Sequence, residues 1–181
     1  MNLPNIVLIG YRGTGKTTIA RILAGRLHRS VISTDDEIVH RAGKSIPEIV
    51  EAQGWDSFRD LEEAVVEEVT RRQDVIVDCG GGVILREANR RRIRERGLVV
   101  WLVLPPSLIA ERIGEDPNRP TLTGRGTLEE IEDVLAEREP LYRETAHLVV
   151  STENAAPQES AEEILQRVKA RSSLEEPTSE S

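Results

Sequence analysis

Short runs of consecutive apolar residues recur along this chain, separated by longer segments in which apolar residues return every three or four positions. The runs are Ile6–Ile9, Ser30–Ser33 around Val31-Ile32, Asp74–Asp78, Val99–Leu104 and His147–Ser151. Runs this short, rich in β-branched residues and without strict alternation, predict strands buried on both faces. Between them the spacing predicts helices from Thr18 to about His28, from Glu37 to Ala42, and over 54–72, 86–96, 107–113, 127–138 and 158–171. Ser45-Ile46-Pro47-Glu48 marks a further helix start, with Ser as N-cap and Glu at the capping-box position. Pro140 is expected to end the helix before it. Strands alternating with helices, joined by right-handed crossovers, give an α/β fold: a five-stranded parallel sheet flanked by helices on both faces.

Composition narrows this to one domain. At 181 residues with 38% hydrophobic content the chain can bury one proper core, and an aromatic share of 3% makes that core aliphatic. Residues 1–171 form the predicted domain, and the Ser/Glu/Pro stretch 172–181 is expected to be a disordered tail. The net charge of -8 means that an anionic ligand must be met by locally clustered arginines, not by the overall field. Arg86, Arg90, Arg91, Arg92, Arg94 and Arg96 form such a cluster, but no aromatic residue is interleaved with them, which argues against a nucleic-acid partner. The single cysteine, Cys79, excludes an internal disulfide. With no charged and apolar leader and no apolar run near about eighteen residues, a soluble, cytoplasmic monomer without a membrane partner is expected.

The first strand run ends in Gly10-Tyr11-Arg12-Gly13-Thr14-Gly15-Lys16-Thr17, a G-x-x-x-x-G-K-[ST] phosphate-binding loop that opens the first helix. Its glycines let successive backbone N–H groups converge on one centre, which the positive end of the helix also faces. A polyphosphate belongs there, held by Gly13, Thr14, Gly15, Lys16, Thr17 and Thr18. Lys16 would reach the β- and γ-phosphates of ATP, and the Thr17 hydroxyl would be a ligand of the Mg²⁺ bridging them.

Other strand ends are also chemically marked. Ser33-Thr34-Asp35-Asp36-Glu37 follows the second strand, where Asp35 and Asp36 read either as site residues or as an N-cap with first-turn acids. Asp78 ends the third strand, where the second phosphate-binding signature places a metal-holding Asp, and Cys79-Gly80-Gly81-Gly82 then leaves backbone open to a ligand. Most of Glu62, Glu63, Glu67 and Glu68 are expected on the wet face of their helix. Residues 115–126, polar and rich in Gly and Pro, are expected to form a lid.

Together these residues resemble the shikimate kinases, a branch of the phosphate-loop kinases related to the nucleoside-monophosphate kinases, over about residues 5–171. The motifs are Asp35 after strand two, Phe58-Arg59 with Glu62, Gly80-Gly81-Gly82, Arg119-Pro120 in the lid, and Arg138 before Pro140-Leu141-Tyr142. The resemblance implies ATP-dependent phosphorylation of the 3-hydroxyl of shikimate in aromatic amino acid biosynthesis. It places Arg59 and Arg138 on the acceptor carboxylate, Asp35 on the ring hydroxyls as base, and Gly80, Gly81 and Gly82 at the acceptor. It also places Arg112 on adenine, and makes Arg119 a catalytic, phosphate-facing lid arginine. The sequence departs from the family where Ser33 replaces an Asp that normally helps hold Mg²⁺ through water, which makes Asp78 and Ser33 the outer-shell candidates. The alternatives are a kinase of the same fold acting on gluconate or a nucleoside monophosphate, and a catalytically weak nucleotide-binding regulator.

Overall fold

The computed structural model describes residues 3–113 and 127–175. Five strands, β1 (Ile6–Ile9), β2 (Ser30–Ser33), β3 (Val75–Asp78), β4 (Leu98–Val103) and β5 (Leu148–Ser151), pair in parallel in the order β2-β3-β1-β4-β5. All four strand pairs are parallel, with Ile6 opposite both Ile76 and Leu98. The central strand is buried throughout because both of its faces are covered. Val7 and Ile9 join a cluster with Phe58, Val65, Val69, Ile93 and Tyr142, while Ile6 and Leu8 join one with Ile19, Leu23, Ile164 and Val168. That period-two division of one strand between two cores accounts for its unbroken apolar sequence.

The helices are α1 (Lys16–Leu27), α2 (Thr34–Ala42), α3 (Ile46–Val69), α4 (Glu87–Arg96), α5 (Pro106–Ile113), α6 (Thr127–Thr145) and α7 (Pro157–Glu175). The two helical stretches expected after residue 45 are one helix broken at Gly54, whose φ of 80° and ψ of 169° are non-helical and need glycine. Its start is the expected capping box: Glu48 N–H donates to Ser45 Oγ, and Ser45 N–H donates to Glu48 Oε2 at 2.8 Å. Among its acids, Glu62 departs from the expected wet face, being only 1% exposed.

Three sequence expectations need correction. Asp35 and Asp36 are not the N-cap of α2. Ser33 is, accepting from Asp36 N–H at 3.1 Å, and the helix begins three residues earlier than expected. Pro140 does not end α6, which continues to Thr145. A proline inside a helix costs roughly 3 kcal/mol. Burying a large side chain returns about 1.5–3 kcal/mol, and here Tyr142 is fully buried and stacked on Trp101, with Leu135 and Leu141 packed beside it. Tertiary packing therefore outweighs local propensity. Finally, α7 runs through Ser172 and Ser173, whose hydroxyls bond the carbonyls of Val168 and Lys169, so the expected tail is helical as far as Glu175. Residues 176–181 lie outside the described residues, as does the expected lid, 115–126.

The arginine cluster is largely committed within the protein. Arg86 and Arg92 pair with Glu63, Arg92 also reaches Glu67, Arg90 donates to the Ile84 carbonyl, and Arg94 donates to the carbonyls of Glu144, Thr145 and Ala146 at the end of α6. These contacts tie α4 to α3 and α6.

Candidate active site

The phosphate loop leaves the central strand at its C-terminal end. Gly10, Gly13 and Gly15 all have positive φ, and a Cβ on Gly10 would meet the Leu102 carbonyl of the neighbouring strand. The loop is braced from below: Thr14 Oγ1 donates to Tyr11 O at 2.8 Å, and the buried Thr152 hydroxyl donates to Thr14 O at 3.1 Å. Lys16 is 8% exposed, and its Nζ donates to Gly10 O and Tyr11 O, both at 2.9 Å, so the ammonium is held over the loop. Thr17 and Thr18 are exposed at the first turn of α1. Arg112 lies across the loop, its Nη1 donating to Gly13 O at 3.2 Å.

A second group gathers on the ends of β2 and β3. Thr17 Oγ1 donates to Asp78 Oδ2 at 2.6 Å, which joins the loop to strand three. Ser33 and Asp78 are direct register partners across those strands, so the two outer-shell candidates are neighbours. Ser33, however, uses its side chain as the cap of α2. Burial pushes the Asp78 carboxyl above its ordinary range, partly countered by the Thr17 hydrogen bond. Asp35 is raised as well, by burial first, with Asp78 and Asp36 adding to the shift and Lys16 and Arg59 opposing it. Two raised carboxyls beside one lysine make a pocket that favours added positive charge.

The glycine triplet is the floor of this group. A Cβ on Gly80 would collide with the Asp35 carboxylate, and a Cβ on Gly82 with the Arg59 guanidinium. A side chain at either place would have to displace the Asp35 carboxylate or the Arg59 guanidinium from the backbone it lies on. Arg59 Nη1 bonds Glu62 Oε2 at 2.8 Å, and the guanidinium lies 5.4 Å from the Trp55 ring centre and 5.0 Å from that of Phe58. Burial raises the Glu62 carboxyl, with Arg59 opposing the shift. From α6, Arg138 Nη1 donates to Gly81 O at 3.4 Å and the Tyr142 hydroxyl donates to the same carbonyl.

Of the residues singled out in the sequence, Lys16, Thr17, Asp35, Asp78, Arg59, Gly80, Gly81, Gly82 and Arg138 converge on one side of the sheet end. Arg112, on α5, reaches the phosphate loop, and Arg119 lies outside the described residues. Sequence reasoning did not assign roles to Thr34, whose Oγ1 accepts from Gly80 N–H at 2.9 Å, or to the Tyr142 hydroxyl. Among the described residues no group of three or more His, Cys, Asp or Glu could hold a metal by itself.

The chain is similar to known proteins over most of its length. A family model described as shikimate kinase matches residues 12–169. The chain is 42% identical over 163 residues to the shikimate kinase of Acinetobacter baylyi, covering 90% of this chain and 91% of that protein. Its structure resembles that of shikimate kinase from Acinetobacter baumannii in complex with shikimate, with a TM-score of 0.90 and 40% identity over 93% of this chain and 94% of that one. The shikimate kinase of Aquifex aeolicus gives a TM-score of 0.81 at 30% identity, over 93% and 98% of the two chains.

Proposed function

The chain belongs to the shikimate kinase family, and from that membership we propose how its own residues carry out the reaction, transfer of the γ-phosphoryl group of ATP to the 3-hydroxyl of shikimate. The observation that carries the proposal is the seating of Asp35 and Arg59 on Gly80 and Gly82, beside Lys16 of the phosphate loop. A base, a carboxylate anchor and a phosphate-binding cation thus share one cleft.

Arg59 and Arg138 bind the planar acceptor carboxylate, for which the guanidinium fork is the matching partner. Asp35 accepts a hydrogen bond from the reacting hydroxyl and takes its proton as oxygen attacks phosphorus. A carboxyl raised by burial is a stronger base than a solvated one. Lys16 leaves the loop carbonyls to neutralise charge on the transferred group, and the loop N–H groups bind the remaining phosphate oxygens. Arg112 is placed for the nucleotide side, and Arg119 is assigned to the phosphates by family resemblance alone.

Mg²⁺ would offset phosphate charge when bound, with Thr17 as its protein ligand and Asp78 holding its water shell in place of residue 33. Asp78→Ala is expected to raise the Mg²⁺ needed for half-maximal rate roughly three- to tenfold, and to weaken Mg²⁺-dependent ADP binding in calorimetry by a like factor. Ser33→Asp in that background should restore part of both, since Asp also caps a helix well. An unchanged Mg²⁺ dependence in Asp78→Ala would leave Thr17 and the phosphates as the whole site.

Arg138→Ala is expected to raise KM for shikimate roughly ten- to a hundredfold while KM for ATP holds, the loss of one charge-assisted hydrogen bond. Arg59→Ala should do the same and also lower the melting temperature, because it strands the buried Glu62 carboxylate. A loss falling on ATP instead would reverse the assignment of the two sides.

The further reading is of a monomeric single domain acting on small molecules, with neither nucleic acid nor membrane as partner, in the cytoplasm. It is supported by the commitment of the α4 arginines to contacts within the protein, and no helix among the described residues is long and apolar enough to cross a membrane. ADP release coupled to added shikimate tests the activity, with gluconate and nucleoside monophosphates as the competing acceptors. A regulator would bind ATP and release no ADP on addition of any of them.

A further inference from the structure

We propose that Thr34 and Tyr142 are positioning residues of the acceptor site: two buried hydroxyls that clamp the Gly80-Gly81 backbone and leave the Gly81 N–H as its donor to shikimate. The inference rests on the acceptor side assigned above and names residues which that assignment does not use.

Three consecutive glycines cannot fix their own conformation, since each has the widest backbone freedom of any residue. Something else must hold this turn, and the hydrogen bonds show what does. Upstream, Cys79 N–H donates to Leu8 O at 3.1 Å, anchoring the turn to the central strand. Gly80 N–H donates to Thr34 Oγ1 at 2.9 Å. Gly80 O accepts from Val83 N–H at 3.1 Å, and Gly82 O accepts from Leu85 N–H at 3.0 Å. Gly81 O accepts from the Tyr142 hydroxyl and from Arg138. Among the described residues, the Gly81 and Gly82 N–H groups are the backbone polar groups of this triplet left without a protein partner. Gly82 is buried under Arg59, whereas Gly81 is partly exposed. The Gly81 N–H is therefore the donor that the turn offers to a ligand.

Thr34 and Tyr142 are each 0% exposed, so neither can touch an acceptor and both must act through the backbone. Thr34 is the first residue of α2 and immediately precedes Asp35, whose carboxylate lies on Gly80. Its bond thus sets the spacing between the base and the glycine floor. Tyr142 is rigid for a different reason, its ring being stacked on Trp101 at 5.6 Å and 14°. Burial raises the Tyr142 hydroxyl far above its ordinary value, so it stays protonated and donates. The long 3.4 Å contact from Arg138 could not hold the same carbonyl alone. With Tyr142 in place, Arg138 can turn to the acceptor carboxylate without stranding Gly81 O.

The test uses Tyr142→Phe, which keeps the stacked ring, Thr34→Val, which keeps the volume, and Thr34→Ser, which keeps the oxygen. Steady-state kinetics are read with both substrates, and amide exchange at Gly80 and Val83 is read by NMR on the unliganded protein. Tyr142→Phe and Thr34→Val should each raise KM for shikimate about tenfold with KM for ATP within about twofold, the scale of one lost hydrogen bond. Gly80 exchange should speed up in Thr34→Val and Val83 exchange in Tyr142→Phe, since these are the amides whose hydrogen bonds close the turn, and Thr34→Ser should stay near wild type in every readout. Unchanged shikimate KM in both variants would overturn the proposal, as would equal losses for both substrates or a Thr34→Ser that behaves like Thr34→Val. If wild-type protein released no ADP with shikimate, the functional assignment would fail by itself. The exchange measurement needs no acceptor, and unchanged exchange at Gly80 and Val83 would overturn the clamp separately.

Discussion

Lys16→Met is expected to reduce kcat at least a hundred- to a thousandfold, the cost of removing one preorganised charge donor from a developing transition state. Nucleotide affinity should fall as well, because the ammonium meets phosphate in the bound state too. The fold should survive. Methionine reproduces the aliphatic stem, and the expected cost is confined to the two carbonyls that lose a partner, Gly10 O and Tyr11 O, at about 1 kcal/mol each. Circular dichroism and a melting curve check the second half of this expectation, and single-turnover ADP formation checks the first. Near-normal turnover in a folded variant would remove Lys16 from the mechanism and with it the assignment of the phosphate loop.

The strands were legible because buried parallel strands need little beyond continuous aliphatic residues, and each observed strand lies within about a residue of its run. Two of the misses share one cause, contacts between residues far apart in sequence. Pro140 reads as a helix end until Tyr142 is seen buried against Trp101, forty-one positions earlier. Glu62 reads as a wet-face acid until α3 is laid against the glycine triplet and Arg59 turns back to it. Ser33 shows a local miss: its hydroxyl caps α2, a role that any of Ser33, Thr34, Asp35 or Asp36 could have filled by residue type.

The site was legible in its parts and not in its wiring. The loop motif declares itself in eight residues, since its chemistry is a backbone conformation and a lysine. Arg59 and Arg138 were found through family resemblance, as nothing in an isolated arginine tells anchor from surface charge. Tyr142 stands in the Pro140-Leu141-Tyr142 motif and Thr34 beside Asp35, yet neither place reveals the role, because a hydroxyl serving a backbone group sixty-one positions away, as Tyr142 serves Gly81, leaves no periodic trace. One sequence signal was available for such partners, the glycine triplet itself, since backbone that lacks side chains must be held by others.

Asp35→Asn is expected to abolish turnover and raise the stability of the unliganded protein. The catalytic loss follows from removing the base that accepts the hydroxyl proton, an effect of about two to four orders of magnitude in kcat. The gain in stability follows from the direction of the Asp35 shift. Its pKa is raised in the folded protein, chiefly by burial and then by Asp78 and Asp36, against the opposing Lys16 and Arg59. A raised folded pKa favours the protonated form, so the stability it brings is fully present below the unfolded pKa and is lost as pH rises through the folded one. At neutral pH the ionised carboxylate is therefore a net cost to folding, and asparagine, which resembles the protonated acid, removes that cost. With about 2–4 °C of melting temperature per kcal/mol for a chain of this size, the difference should be measurable. It should shrink as pH is lowered into the ordinary carboxylate range, where wild-type Asp35 is itself neutral. The acid limb of the wild-type kcat profile should lie above that ordinary range for the same reason. A variant that melts lower than wild type at neutral pH, or one that keeps wild-type kcat, would show that Asp35 is held by its cationic neighbours as a structural ion and is not the base of the reaction.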